Sequence, residues 1–251
     1  MNPTSALIVI GNEILSGRTQ DANIRFLAQR LGELGAPLRE VRIIPDIRET
    51  IITTVTEMKA RFGQVFTTGG IGPTHDDITA ACIAEAFGTT LELHQDTAAR
   101  MEAHYGVDQF SEARHRMAML PKGATPIINK ASVAPGFTIG NVHVMAGVPS
   151  IMQSMYEAVE PDLLRGSPIT SRTWHTTTLF ESMIAAPLEA VQNRFPDLDI
   201  GSYPFMRADG RRGVALVAKG ANADHVAAAS EEIRSLIVTA GGDPIEGESP
   251  V

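Results

Sequence analysis

The chain has 251 residues, of which 43% are hydrophobic and 20% are charged, and its formal net charge is −8. These values are typical of a soluble globular protein with one large domain, or with a large and a small one. The negative charge argues against nucleic acid as a partner, and no apolar run reaches the roughly 20 residues of a membrane-spanning helix. The single Cys82 excludes an intrachain disulfide. Because the start lacks a signal-peptide pattern, we expect a cytoplasmic protein without a membrane partner.

The first 90 residues show three strand–helix pairs. Strands are predicted at residues 6–10, 38–44 and 64–68, of which the first is a continuous apolar run. Helical spacing of apolar residues predicts the helices that follow, at 21–34, 48–59 and 78–87. This β-α-β-α-β-α order predicts a parallel sheet with right-handed crossovers. In such a sheet the carboxyl ends of the strands share one edge, which is where ligands bind.

A glycine-rich turn joins the third strand to its helix. Residues 67–77 read Thr-Thr-Gly-Gly-Ile-Gly-Pro-Thr-His-Asp-Asp. Glycines without a Cβ let backbone N–H groups approach an anion, and the N-terminus of a helix favours negative charge. Asp76 and Asp77 suit a phosphate that arrives with a divalent metal. The alternative interpretation is a tight turn in which an aspartate only caps the next helix.

Further loops are expected at the same edge of the sheet. The loop at residues 11–20 and the Pro45-Asp46 pair follow the first two strands, as the glycine-rich turn follows the third. Residues 141–145 alternate like a strand and end in a Gly-Val-Pro loop before a helix at 151–164. The topology therefore predicts that Asp46 and Asp77, far apart in sequence, lie at one edge.

The remaining segments predict an insertion and a second unit. Two polar helices, at 96–105 and 111–119, are expected over or beside the site, and short strands are predicted at 124–128 and 136–139. After a linker at 165–168, the order βαββα predicts a small α+β domain at residues 168–243, following a domain at 1–167. Its arginine-bearing loop at 206–213 is interpreted as a solvated hairpin tip, with a phosphate clamp as the alternative. The polar residues 244–251 are predicted to be a mobile tail.

Several motifs resemble one family. Thr68-Gly69-Gly70-Ile71-Gly72-Pro73, followed by Asp76-Asp77-Ile78-Thr79, resembles the signature of the molybdopterin-binding (MogA/MoaB-like) domain. Gly-Asn-Glu-Ile-Leu-Ser-Gly at 11–17, with Asp21 and Asn23, resembles the opening of the CinA-type branch found in competence/damage-inducible proteins. The resemblance covers about residues 4–165, and the small second unit is also similar to that branch. It implies a three-layer α/β/α fold with a mostly parallel sheet, a site at the sheet edge and a homo-oligomer, either a dimer or a trimer.

The resemblance also implies roles for individual residues. Asp46 and Asp77 match the functional acids of the molybdenum-cofactor members and are the expected catalytic residues, and with Asp76 they are the expected ligands of Mg²⁺ or a similar divalent ion. The expected phosphate-binding and substrate-binding residues are Gly11, Glu13, Thr68, Gly69, Gly70, Gly72, Pro73, Thr74 and Gly147. The chain departs from the family where Met145-Ala146-Gly147 replaces Leu-Pro-Gly. It also ends without the amidase domain of full-length CinA proteins, so nicotinamide-nucleotide amidase activity is not expected.

Three functions remain open at this stage. CinA-type domains are associated with metal-dependent cleavage of dinucleotide pyrophosphates, so the leading hypothesis is a pyrophosphatase that acts on ADP-ribose or FAD. The first alternative is a non-catalytic protein that binds molybdopterin or another phosphorylated pterin at the same loop. The second alternative is adenylyl transfer to molybdopterin, as in molybdenum-cofactor biosynthesis.

Overall fold

The structure, a computed structural model, describes residues 2–207 and 210–249. The chain divides into two compact units, Met1–Gly166 and Ser167–Val251, and this division falls inside the predicted linker at 165–168. Within the described residues, no helix is both long enough and apolar enough to cross a membrane.

The first unit is built on a six-stranded sheet. In chain order it contains β1 (Ser5–Ile10), α1 (Asn12–Leu15), α2 (Asn23–Glu33), β2 (Leu38–Ile44), α3 (Arg48–Arg61), β3 (Gln64–Thr68), α4 (Thr79–Ala86), β4 (Leu91–Leu93), α5 (Gln95–Tyr105), α6 (Glu112–Met117), β5 (Met119–Pro121), β6 (Thr125–Ile127), β7 (Gly136–Ile139), β8 (Val142–Met145) and α7 (Pro149–Val159). The strand order in the sheet is β2-β1-β3-β8-β7-β6. The first four strands in that order are parallel, and β7 and β6 run antiparallel to their neighbours. This arrangement confirms the predicted mostly parallel sheet.

Alternating side chains of the buried strand β1 hold helices on both faces of the sheet. Ile8 and Ile10 belong to a core that includes Ile51 of α3 and Ile83 of α4. The intervening Leu7 and Val9 belong to a second core, with side chains of α2 and α7. Because successive residues of a strand point to opposite faces, one apolar run serves both cores. The result is the three-layer α/β/α fold that the resemblance implied.

The register of the parallel strands places four loops at one edge. Ile10 pairs with Ile44 across β1 and β2, and Val9 pairs with Thr68 across β1 and β3. Thr68 in turn pairs with Met145 across β3 and β8. All four parallel strands therefore end at nearly the same level, and the loops that follow them converge, as the topology predicted.

The polar insertion folds as a small substructure of its own. Strands β4 and β5 pair antiparallel, and α5 and α6 lie between them in the chain around a buried Met101. The predicted helix at 111–119 is too long, because it ends at Met117 and Met119 pairs with Leu93. Strands of only three residues give no periodic signal in a sequence, which is why β4 and β5 were not predicted.

The second unit is a small α+β fold. It contains β9 (Thr170–Thr176), α8 (Glu181–Arg194), β10 (Asp199–Met206), β11 (Arg212–Gly220), α9 (Ala223–Thr239) and β12 (Ile245–Glu246). Its four strands form an antiparallel sheet in the order β10-β11-β9-β12, and α8 and α9 pack on it through one buried core. Residues 208 and 209, within the predicted arginine-bearing loop, lie outside the described residues.

Part of the segment 244–251, for which the composition predicts a mobile tail, pairs with the sheet of the second unit. Ile245 and Glu246 pair with His175 and Trp174 of β9, and the Gly247 N–H donates to the Thr173 carbonyl oxygen at 2.9 Å. Pairing through backbone groups holds these exposed residues, and composition does not reveal such pairing because every residue carries the same groups. Residues 250 and 251 lie outside the described residues.

A histidine buried in β8 makes stability depend on pH. His143 stacks on Phe66 with ring centroids 5.0 Å apart, and its Nδ1 lies 3.0 Å from the Thr138 hydroxyl. Burial lowers the pKa of His143 from 6.5 to about 4, against the opposing effect of the Asp162 carboxylate. In the unfolded chain the same imidazole takes up a proton near pH 6.5, so acid favours unfolding.

We expect the contribution of His143 to the free energy of unfolding to be constant above about pH 6.5. Below that pH, this contribution should fall as the pH drops toward about 4. The loss should be at most about 3 kcal/mol, since each unit of pKa difference corresponds to about 1.4 kcal/mol. Urea unfolding between pH 7 and pH 4.5 measures this loss of unfolding free energy. The variant His143→Gln should remove the loss, and the control His104→Gln, at an exposed site, should retain it. Equal pH dependence in wild type and His143→Gln would contradict the assignment.

Candidate functional site

The turn after β3, residues 69–77, is here called the glycine loop, and its first residue has a structural reason to be glycine. Gly69 has a φ of +103°, in the region that favours glycine. A Cβ there would overlap the Ile10 carbonyl oxygen at the end of β1. The Gly69 N–H donates to the Met145 carbonyl oxygen at 3.1 Å, so the residue sits where β1, β3 and β8 meet.

The next part of the loop is fixed to the start of α4. The Thr79 N–H donates to the Gly70 carbonyl oxygen at 3.0 Å, and the Thr79 hydroxyl donates to the Gly69 carbonyl oxygen at 3.1 Å. Gly70 also has a positive φ, +67°, and a Cβ there would overlap the Thr79 hydroxyl. These contacts hold the loop while, in the described part of the chain, the N–H groups of Gly70, Ile71 and Gly72 donate to no protein acceptor. Three consecutive unpaired donors can bind an anion.

A cavity of about 530 Å³ lies against the glycine loop. Its wall is formed by the glycine loop, α1 and the loop after it, the end of α6, the segment before β7, and α7 with the segment before it. The lining residues are Glu13, Thr19, Gly69, Gly70, Ile71, Gly72, Pro73, Asp77, Met117, Ser132, Ala134, Pro135, Ala146, Gly147, Val148, Pro149, Ile151 and Met155. Helix α7, eleven residues long, begins at the cavity with Pro149. The positive end of its dipole therefore adds to the unpaired N–H groups and favours a negative ligand.

Two carboxylates, those of Asp77 and Glu13, line this cavity. Asp77 is half-buried, and its Oδ2 accepts from the Thr74 N–H at 2.8 Å and from the Thr74 hydroxyl at 2.5 Å. It does not cap α4, whose N-cap residue Ile78 has no side-chain cap, so the alternative of a simple helix cap is wrong for Asp77. The neighbouring Asp76 is exposed, and hydrogen bonding from Thr74 lowers the pKa of its carboxyl group.

Asp46 lies at the same sheet edge but in a different role. Its Oδ2 accepts from the Asn12 N–H at 2.9 Å, which joins the exit of β2 to the start of α1. It is not part of the cavity wall. Among the described residues, no group of three or more His, Cys, Asp or Glu side chains is placed to hold a metal ion. The three predicted metal ligands, Asp46, Asp76 and Asp77, are therefore not grouped by the structure.

The carboxylates present still fit one kind of metal site. Mg²⁺ is usually bound by one or two carboxylates together with substrate phosphates and water, rather than by a complete protein cage. Asp77 and Glu13 both line the cavity, as do the three residues with unpaired N–H groups, so one or two carboxylates would be available to such an ion beside donors for its phosphates.

The other predicted residues fall into two groups. Gly69, Gly70, Gly72, Pro73 and Gly147 are in the wall of the cavity, and Thr74 lines a smaller adjoining pocket of about 40 Å³. Gly11 and Thr68 are buried and do not line the cavity. The Gly11 N–H donates to the Ile44 carbonyl oxygen at 3.1 Å.

Asn23, from the motif that resembles the CinA-type opening, supports the segment of the wall that precedes α7. It is 3% exposed, and its Nδ2 donates to the Gly147 carbonyl oxygen at 2.8 Å. The Ala146-Gly147 segment is thus held by a buried side chain, in the position where the family's Leu-Pro-Gly would be stiffened by proline.

Sequence reasoning missed the residues that complete the cavity. Met117, in the wall of the cavity, and Arg116, in the wall of the small adjoining pocket, come from α6 of the insertion. Arg116 Nη2 donates to the Pro73 carbonyl oxygen at 3.0 Å. The Arg116 side chain is exposed, and its contact with the glycine loop joins segments 43 positions apart, which the pattern of this polar helix does not indicate. Ile151 and Met155 of α7 also line the cavity, whereas the sequence pattern predicts only a helix at 151–164.

Comparisons with known proteins agree with this architecture. Residues 6–165 match the family model described as "Probable molybdopterin binding domain", and residues 168–240 match the model "FAD synthase, middle domain". A protein of Pyrobaculum calidifontis is 34% identical over 212 residues, which cover 80% of this chain and 81% of that protein. A CinA-like protein of Citrifermentans bemidjiense is 35% identical over 198 residues, 76% of this chain and 48% of that protein.

A solved structure of a CinA protein is also similar to this chain. The crystal structure of a protein CinA of unknown function from Thermoplasma acidophilum has a TM-score of 0.61 and 31% identity, and the match covers 64% of this chain and 98% of that one. The chain belongs to the family of probable molybdopterin binding domains, and within it resembles CinA-type proteins. Its second unit, at residues 168–240, is similar to the FAD synthase middle domain.

Proposed function

We propose that the protein is a metal-dependent pyrophosphatase that cleaves a dinucleotide such as ADP-ribose or FAD. The observation that supports this most strongly is the combination on one cavity wall of three unpaired N–H groups, at Gly70, Ile71 and Gly72, with the carboxylates of Asp77 and Glu13. Backbone donors suit the anionic diphosphate. The carboxylates would otherwise repel it, so they favour a ligand that arrives with a divalent ion.

The rest of the wall suits the planar ring of a nucleotide. Pro135, Met117 and Ile151 contribute apolar surface to the same cavity. Apolar walls with a few placed polar groups are typical of small-molecule sites. The match of residues 168–240 to a FAD synthase middle domain supports a nucleotide ligand as well.

In the proposed reaction, a water oxygen forms a bond to one phosphorus atom as the bond from that phosphorus to the bridging oxygen breaks. The water gives up a proton, and the bridging oxygen leaves on the second phosphate. ADP-ribose would yield AMP and ribose 5-phosphate, and FAD would yield AMP and FMN. Asp77 or Glu13 would hold the ion or accept the proton, and the loop N–H groups would hold the phosphate oxygens in place. A divalent ion bound there would neutralise charge on the phosphates.

The test is product formation by the purified protein with ADP-ribose and with FAD, each with Mg²⁺, Mn²⁺ and Co²⁺ in turn and with a chelator. AMP and the second monophosphate in equal amounts, only with metal, are expected. Failure to cleave either compound under every metal would remove the pyrophosphatase assignment.

A second candidate is a pterin-binding protein without turnover. The family match at residues 6–165 favours it, because that family is described by molybdopterin binding. The same N–H groups would hold the phosphate of the pterin, and the apolar wall would contact its ring system. Saturable binding of molybdopterin together with no hydrolysis of either dinucleotide would favour this function over the first.

A further inference from the structure

The peptide group between Pro73 and Thr74 is held at both of its polar ends. Its carbonyl oxygen, on Pro73, accepts from Arg116 Nη2 at 3.0 Å. Its N–H, on Thr74, donates to Asp77 Oδ2 at 2.8 Å. A peptide group is planar and almost always trans, so the direction of its carbonyl fixes the direction of its N–H. A contact made by Arg116 therefore bears on the position of the Asp77 carboxylate without touching it.

The charge of Arg116 strengthens this link. A hydrogen bond from a guanidinium is stronger than one between neutral groups, and a polarised peptide is a better donor at its other end. Among the described residues that line the cavity or the small adjoining pocket, Arg116 is the only cationic side chain. It reaches the loop from α6, across 43 positions of sequence.

We propose that Arg116 is a positioning residue for Asp77, acting through the Pro73–Thr74 peptide group. The inference rests on the proposed function, in which Asp77 serves the reacting phosphate. Helix α6 belongs to the insertion, which has a small buried core of its own at Ala98, Met101 and Ala118. The insertion thus provides a fixed base from which the guanidinium holds the exposed part of the glycine loop.

The first test compares Arg116→Met with Arg116→Lys. Arg116→Met removes the donor and should lower kcat for dinucleotide hydrolysis about 10-fold with KM changed less than about 2-fold, since small misplacements of a reacting group are costly in turnover. Arg116→Lys should restore much of kcat, because one ammonium can still donate to a single carbonyl oxygen. The matched control is Arg114→Met on the same helix, where the guanidinium lies 3.9 Å from the centre of the Tyr105 ring, and kcat should stay unchanged. A raised KM with unchanged kcat in Arg116→Met would overturn the proposal.

A double-mutant cycle shows whether the effect passes through Asp77. In an Asp77→Asn background the carboxylate no longer serves the reaction, so adding Arg116→Met should change the residual kcat less than about 2-fold. Additive losses would mean that Arg116 acts independently of Asp77, which would also overturn the proposal.

One readout needs no activity and separates this inference from the proposed function. Hydrogen exchange of the Thr74 amide should be at least about 10-fold faster in Arg116→Met than in wild type, because the peptide group is held at one end only. Arg114→Met should leave it unchanged. If no dinucleotide is cleaved but Thr74 exchange responds in this way, the pyrophosphatase fails and the positioning contact stands. Unchanged Thr74 exchange would overturn the positioning role whatever the activity.

Discussion

Asp77→Asn is expected to lower kcat for dinucleotide hydrolysis at least about 100-fold, within the range typical of a lost acid–base or ion-holding group. Asparagine keeps an oxygen that can accept from the Thr74 N–H, now 2.8 Å from Asp77 Oδ2, so the glycine loop should retain its shape. What it removes is the negative charge on the cavity wall. The thermal midpoint should change little, since this hydrogen bond is exposed.

The matched control is Asp96→Asn, the same replacement at an exposed position in the first turn of α5. It should leave both kcat and the thermal midpoint unchanged. Steady-state rates at saturating Mg²⁺ measure kcat, and circular dichroism of each variant measures the thermal midpoint. An Asp77→Asn protein with wild-type kcat would exclude Asp77 from the chemistry and leave Glu13 as the one carboxylate in the described cavity wall.

Gly69→Ala is expected to have the largest effect on stability, a loss of several kcal/mol or a failure to fold. A residue with a side chain at a φ of +103° costs about 1–3 kcal/mol in backbone strain alone. The added Cβ would in addition overlap the Ile10 carbonyl oxygen, which is backbone and cannot rotate away. Relief would require separating β1 from β3, whose residues Val9 and Thr68 pair directly beside this point. Urea unfolding measures the loss.

Gly147→Ala is the control for this prediction. Gly147 is in the wall of the same cavity, but a Cβ there would lie 3.4 Å from the Gly69 Cα, an ordinary contact. Its free energy of unfolding should change by less than about 1 kcal/mol, as is usual for substitutions that neither strain the backbone nor overpack a core. Similar stability losses in the two variants would show that Gly69 is no more constrained than Gly147.

The sheet and its site edge could be predicted because the relevant signals are local. The apolar run before Gly11 and the run before Gly69 mark strands buried on both faces, and the helices between them show regular apolar spacing. Right-handed parallel connections then leave little choice about which ends of the strands share an edge. The glycine loop followed from the same reasoning, since a strand that runs into Gly-Gly and then a helix has few other conformations.

The details of the site could not be predicted because they depend on contacts between distant segments. The topology predicts Asp46 beside Asp77, yet its carboxylate accepts from the Asn12 N–H, a contact across 34 positions that no pattern at Pro45-Asp46 reveals. The contact of Arg116 with Pro73 joins an insertion to a loop 43 positions away. Pairing of β12 with β9 likewise uses backbone groups, which every residue carries and which composition cannot distinguish.

Packing within the fold, and not contact with a ligand, explains why the first two residues of the glycine loop are glycine. Gly69 and Gly70 are required by packing against Ile10 and Thr79, independently of any ligand. Their conformation is nevertheless what leaves the following N–H groups without protein acceptors. A glycine motif of this kind thus supports ligand binding indirectly, through the backbone shape that it permits.

The most direct test of the account is a titration of the Asp77→Asn protein with ADP-ribose and Mg²⁺, followed through backbone amide chemical shifts. We predict that the amide chemical shifts of Gly70, Ile71 and Gly72 change most and saturate together, because these amides donate to the diphosphate in the bound state. Shifts confined to other parts of the chain, with these three amides unchanged at saturating ligand, would contradict it.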